Sequence, residues 1–167
     1  MDAAGLKQVQ TPIKERYRDD ASSALITLRA KGAIDDAAIA CKVETGRAIA
    51  VAGLHPATGG DGLALCSGDM LLEALVACAG VTLNAVATAI GVSLRDASIS
   101  AAGDLDFRGT LAVAREAPVG FKAIRLHFDL ETDADAEQVA SLIKLTERYC
   151  VVYQTLRQSP LIEVTHS

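Results

Sequence analysis

The chain has 167 residues, enough for one domain with a sizeable core and short for two. Half of them are hydrophobic and 22% are charged, the composition of an ordinary globular protein and not of a disordered one. With a net charge of −5 and scattered basic residues, the surface does not suit nucleic-acid phosphates, so no nucleic-acid partner is expected.

In chain order, Leu6, Val9, Ile13 and Tyr17 fall near one face at helical spacing. They predict a short helix over Gly5 to Arg18, interrupted by Pro12. The first 20 residues thus read as a separate helix or arm on a single domain spanning residues 1–167. Strands are expected at Ala24–Ala30, Ala38–Val43 and Ala48–Ala52, with turns at Gly32–Asp36 and Thr45–Gly46. Three antiparallel strands in a meander is the simplest arrangement. The glycine-rich stretch Gly53–Gly62 reads as a loop. It is not followed by the Gly-Lys-Ser/Thr of a phosphate-binding loop, and turn geometry explains it better.

Ser67 opens a long helix that runs to Ile90, with Ser67 as its cap, Asp69 in its first turn and Gly91 as its stop. Along it, Glu73, Ala77, Gly80 and Asn84 make a narrow small or polar stripe. Leu71, Leu75, Cys78, Thr82 and Ala85 make an adjoining one that turns Cys78 toward packed protein. The helix is long enough to cross a bilayer, but Glu73 and Asn84 interrupt it and no Lys or Arg closely flanks it. The centre of a globular protein is the better reading, and no membrane association is expected.

A strand follows at Ser98–Phe107, with Gly109 turning the chain. Next, Ile124, Leu126, Phe128 and Leu130 alternate with Arg125, His127, Asp129 and Glu131 as a half-buried strand. Asp133 or Asp135 caps a second helix carrying Val139, Leu142, Ile143, Thr146 and Tyr149, and Cys150 falls at or just beyond its end. Leu161–Thr165 reads as a last strand. Strands, long helix, strands, helix and short strand make an α+β pattern.

Four thiols are the most distinctive chemical resource. The N-terminus has no apolar core or cleavage site of a secretory signal, so a reducing, cytoplasmic setting is expected, where a disulfide would be transient. Cys41 alternates with Ile39 and Val43 as a core residue, while Cys66 is ambiguous. Taken on spacing alone, Cys78 reads more readily as an inert buried thiol than as a reactive one. Cys150, after Glu147, Arg148 and Tyr149, has charge and access nearby. The histidines His55, His127 and His166 are dispersed, so neither a metal site nor another cofactor is expected.

The run from Ser67 through Met70-Leu-Leu-Glu-Ala-Leu-Val-Ala to Cys78 and on to Leu83 resembles the central helix of the OsmC/Ohr superfamily. Thr146-Glu-Arg-Tyr-Cys-Val-Val-Tyr153 resembles that family's second cysteine motif, and the element order agrees from Ala24 to Thr165. The resemblance implies an OsmC-like α+β fold with antiparallel sheets wrapped around a long central helix, in an intertwined homodimer. It further implies reduction of organic hydroperoxides in oxidative-stress defence, with Cys78 as the peroxidatic thiol and Cys150 as the resolving one. An external dithiol, not identified by the sequence, would regenerate them. Asp69 matches the family's acidic position, one methylene shorter than the usual Glu. Where the family has its activating Arg, Ile34 and Asp35 stand instead; Arg29 and Arg47 are the nearest substitutes, and Arg148 is a third. The rival reading is a non-catalytic member, an OsmC-like domain binding an apolar small molecule or serving as a dimeric scaffold.

Overall fold

The computed structural model describes residues 2–5, 8, 10–12, 19, 31–35, 40–44, 49–112 and 114–166. Contacts group the chain into two compact units, one of residues 16–73 and 101–125 and the other of residues 1–15, 74–100 and 126–167.

In the first unit, β1 (Lys31–Asp35), β2 (Ala40–Glu44) and β3 (Ile49–Gly53) form an antiparallel meander. Here β4 (Leu65–Cys66) adds in parallel to β3. The expected strand at Ala24–Ala30 lies outside the described residues. Gly32–Asp36, expected as a turn, is instead largely strand β1. Lys-Gly-Ala-Ile-Asp has weak intrinsic strand preference, but five residue pairs with β2 supply a backbone ladder that local preference does not reveal. The loop after β3 contains one 3-10 turn, Pro56–Thr58, capped by His55, whose Nδ1 accepts from the Ala57 N–H and whose ring stacks on Phe107. This histidine is therefore spoken for structurally. Gly103 faces the Phe121 ring so closely that a Cβ there would lie 2.4 Å from it, which only glycine avoids.

The long helix α1 spans Ser67–Ile90, as the sequence indicates. It ends where Gly91 adopts φ +76° and the Val92 N–H closes on the Ala87 carbonyl. Strand β5 (Leu94–Asp104) follows, then the single turn α2 (Phe107–Thr110), then β6 (Ala123–Thr132), which pairs with β5. The alternation read for residues 124–131 is borne out: every second residue of β6 is at least half shielded and those between are exposed.

Within the second unit, α3 (Ala136–Tyr149) opens on a capping box, Asp135 and Gln138 each accepting from the other's backbone N–H. Leu83, Ala87, Val92 and Leu142 form its core, with Phe128, Leu130 and Ile143 packed around them. Truncating a fully buried leucine such as Leu142 to Ala costs about 2–5 kcal/mol in such a setting. A further helix, α4 (Val151–Arg157), was not anticipated, and the strand expected at Leu161–Thr165 is absent. Those residues have exposed side chains and no ladder partner, so their apolar character alone does not make a strand. Of the expected N-terminal helix, residues 3–5, 8 and 10–12 are helical, and the remainder lies outside the described residues.

One correction concerns the faces of α1. A single stripe, Leu75, Ala79, Leu83 and Ala87, is buried within the chain, whereas Leu71, Glu73, Ala77 and Val81 are exposed. The helix is long and apolar enough to cross a membrane by length and composition alone.

Candidate active site

Cys78 lies in the middle of α1, partly shielded, and Cys150 lies at the junction between α3 and α4, 1% exposed. The junction is confined to Cys150, since Tyr149 is still helical and Val151, Val152 and Tyr153 resume a helix at once. Cys150 takes extended backbone angles, φ −72° and ψ 109°, so that it ends α3 and begins α4 at once. Its N–H still closes on the Thr146 carbonyl at 2.9 Å, and its carbonyl accepts from the Gln154 N–H at 3.0 Å. Beneath it Thr146 is buried, its hydroxyl donating to the Leu142 carbonyl at 2.8 Å.

This break aims the opening of α4 at Cys78. Helix starts leave N–H groups without intrahelical partners, and no side chain caps α4. The N–H groups of Val152 and Val151 lie toward the Cys78 sulfur instead and favour its charged form. Burial alone pushes this thiol up. The Val152 N–H, the Cys150 thiol, the Val151 N–H and the Thr82 hydroxyl together outweigh it and hold Cys78 below the ordinary thiol value. Thr82 contributes least, because its proton is engaged at 2.7 Å by the Cys78 carbonyl. Cys150 moves the other way: burial raises it, and so does sharing its proton with the sulfur opposite. The pair is therefore differentiated: Cys78 gives up its proton more readily than an ordinary thiol, and Cys150 less readily. Both cysteines are unbridged.

A groove of about 500 Å³ runs along α1 beside this pair, lined by Val81, Thr82, Ala85, Val86 and Ala89, with Tyr149 and Gln10 adding polar groups. The Thr82 hydroxyl donates to the Cys78 carbonyl and Tyr149 precedes Cys150, so the groove adjoins the segments that carry the pair.

The other sequence-derived candidates divide clearly. Asp69 stands exposed in the first turn of α1, and Glu73 is also exposed, which removes any need for a buried partner. Arg29 and Arg47 lie outside the described residues, as do the surroundings of Cys41. Arg148 is exposed and sits over the Tyr149 ring at 5.5 Å; it is not among the groups that shift Cys78. The described residues contain no cluster of three or more His, Cys, Asp or Glu able to hold a metal ion. The sequence brought Cys78 and Cys150 forward. It gave no sign of the Val151 and Val152 amides, because every residue but proline carries an N–H and no side chain marks these two.

The protein-family profile described as OsmC-like protein matches residues 59–165. No curated protein matches the chain. Among solved structures, an OsmC-like protein from Mycoplasma pneumoniae is similar at 14% identity, over 80% of this chain and 89% of that one, with a TM-score of 0.67. An organic hydroperoxide resistance protein from Elizabethkingia anophelis is similar at 15% identity over 81% and 91%, TM-score 0.65. A third, the organic hydroperoxide resistance protein OsmC from Legionella pneumophila, is similar at 20% identity over 80% and 91%, TM-score 0.62.

Proposed function

The chain belongs to the OsmC-like protein family, and on that premise we propose that it is a thiol-dependent peroxidase reducing organic hydroperoxides through Cys78 and Cys150. The observation that carries this reading is the pairing of the two thiols, each shifted in part by the other, Cys78 downward and Cys150 upward. In the proposed cycle the Cys78 thiolate attacks the terminal oxygen of the hydroperoxide and the O–O bond breaks. Cys78 becomes a sulfenic acid, and the leaving alkoxide takes a proton from water to give the alcohol. The Cys150 sulfur then attacks the sulfenic sulfur; its proton and the displaced hydroxyl leave as water, and a Cys78–Cys150 disulfide remains. An external dithiol reduces that bridge, ending as its own disulfide, and restores both thiols. The apolar groove beside Thr82 and Tyr149 suits a substrate with a hydrocarbon body.

Asp69, Arg29 and Arg47 are proposed to assist this reaction, as in the enzymes that the sequence resembles. Single substitutions at each, read as kcat/KM for the hydroperoxide, measure that assistance. Association of two copies is also proposed, supported by the exposed apolar faces of α1 at Leu71 and Val81. A reducing, cytoplasmic setting fits a bridge that forms only transiently.

The direct test is consumption of cumene hydroperoxide with dithiothreitol as reductant. Turnover that disappears in Cys78→Ser is expected. A second reading, a non-catalytic domain binding an apolar small molecule, is favoured by the same groove together with the lack of a cation, among the described residues, in the set of groups that shift Cys78. Saturable binding of an apolar ligand with no peroxide consumption would select it.

A further inference from the structure

Helix α4 has little to hold it. It spans seven residues, too few to be stable alone in water. None of its residues is buried, and no side chain caps its start. Yet the direction of this helix decides whether the Val151 and Val152 N–H groups meet the Cys78 sulfur. Something other than packing must fix it against α3.

Gln154 spans the break from both sides. Its backbone N–H closes on the Cys150 carbonyl at 3.0 Å. Its side-chain amide Nε2 reaches back over the junction and donates to the Glu147 carbonyl at 2.7 Å. The Glu147 carbonyl lies in the last turn of α3, where carbonyls lack helical partners. Gln154 thus satisfies an orphan acceptor of one helix with a donor carried by the next. A side chain bonded this way bridges the two helices across Cys150, whose backbone is extended. Among the described residues, the buried Leu142 and Thr146 anchor the α3 side of the junction.

We propose that Gln154 is a positioning residue for the thiol pair, a strap across the Cys150 junction that keeps the first N–H groups of α4 on the Cys78 sulfur. The proposal rests on Cys78 being the reacting thiol, but not on what it reacts with. Its side chain touches neither sulfur; it acts through the backbone that it holds.

The test is the pH profile of Cys78 alkylation by iodoacetamide, resolved by peptide mass spectrometry so that the other thiols do not contribute. Gln154→Met removes the donor while keeping length and helix preference. Gln154→Asn keeps the amide one methylene too short. Both are expected to move the Cys78 midpoint upward by about half a unit, so that alkylation well below the midpoint slows roughly threefold. Gln158→Met, the same change at the exposed end of α4, serves as control and leaves the profile in place. An unmoved midpoint in either folded Gln154 variant overturns the proposal, as does an equal shift in the Gln158 control. Because alkylation needs no hydroperoxide, a shifted profile in a protein that consumes no peroxide would leave the strap standing and remove the peroxidase reading. Turnover with an unshifted profile would do the reverse.

Discussion

The two compact units each hold an acidic group below its ordinary midpoint, and they do it by different means. In one, Asp106 accepts from Arg108 at 2.9 and 2.6 Å, and Asp104 accepts two bonds from Arg125. Those guanidiniums hold Asp106 down to about 2 and Asp104 below the usual carboxylate range. Both arginines are open to water, more than half exposed. In the other unit the Cys78 sulfur is held by donors without net charge: two backbone amides, a thiol and a hydroxyl. Exposed ion pairs are screened and add little stability even when they shift a pKa visibly. Neutral donors fixed by the fold act on a partly shielded sulfur, where they are screened much less. A perturbed titration therefore points to chemistry only where the perturbed group is also shielded and reactive.

The largest expected effect comes from removing the reactive anion itself. Cys78→Ser should bring hydroperoxide consumption to background and prevent any bridge to Cys150, checked by coupled turnover and intact mass. Next comes its partner. Cys150→Ala should let one equivalent of hydroperoxide react and then stop, leaving a sulfenic acid that dimedone traps. The same variant loses a donor, so the Cys78 midpoint should also rise.

A pH titration sharpens the contrast further. With its native midpoint depressed, Cys78 binds fewer protons folded than unfolded between that midpoint and the ordinary thiol value. Its contribution to stability therefore rises with pH through this window and is lost as pH falls below the native midpoint. The raised midpoint of Cys150 acts in the opposite sense at higher pH. Denaturant melts of wild type and Cys78→Ser from pH 6 to 9 should diverge in that direction. For Asp106 the contribution is fully present at neutrality and is lost only as pH falls from the usual carboxylate range through about 2; it is small because the pair is open to water. The smallest effects are thus the surface ones. Raising salt from low to about 0.5 M should leave the Cys78 alkylation midpoint in place, since its donors are neutral. Arg108→Met should return Asp106 to the usual carboxylate range by carboxyl NMR without changing stability at pH 7.

Much of this was legible in the residues themselves. Period-3.6 patterning with Gly91 as stop delimits α1, strict alternation delimits β6, and of the two caps read for α3, Asp133 or Asp135, the structure selects Asp135. Family resemblance put Cys78 and Cys150 forward together. What escaped has a common cause. Strand β1 is a strand because β2 lies beside it, and α4 is a helix although Val151, Val152 and Tyr153 favour strands. Sequence reasoning looked for a cation to lower the Cys78 thiol, at Arg29, Arg47 or Arg148. Arg29 and Arg47 lie outside the described residues; the backbone donors found at Val151 and Val152 belong to no residue type, and the chain break at Cys150 reveals them.

The central claim is that Cys78 and Cys150 form one differentiated pair, thiolate and thiol, able to close on each other. Reduced protein mixed with one equivalent of cumene hydroperoxide, quenched within seconds and digested without reductant, measures this most directly. A single Cys78–Cys150 linked peptide with Cys66 left free is the predicted result. Intact thiols at both positions, or oxidation of Cys78 with no bridge to Cys150, would contradict it.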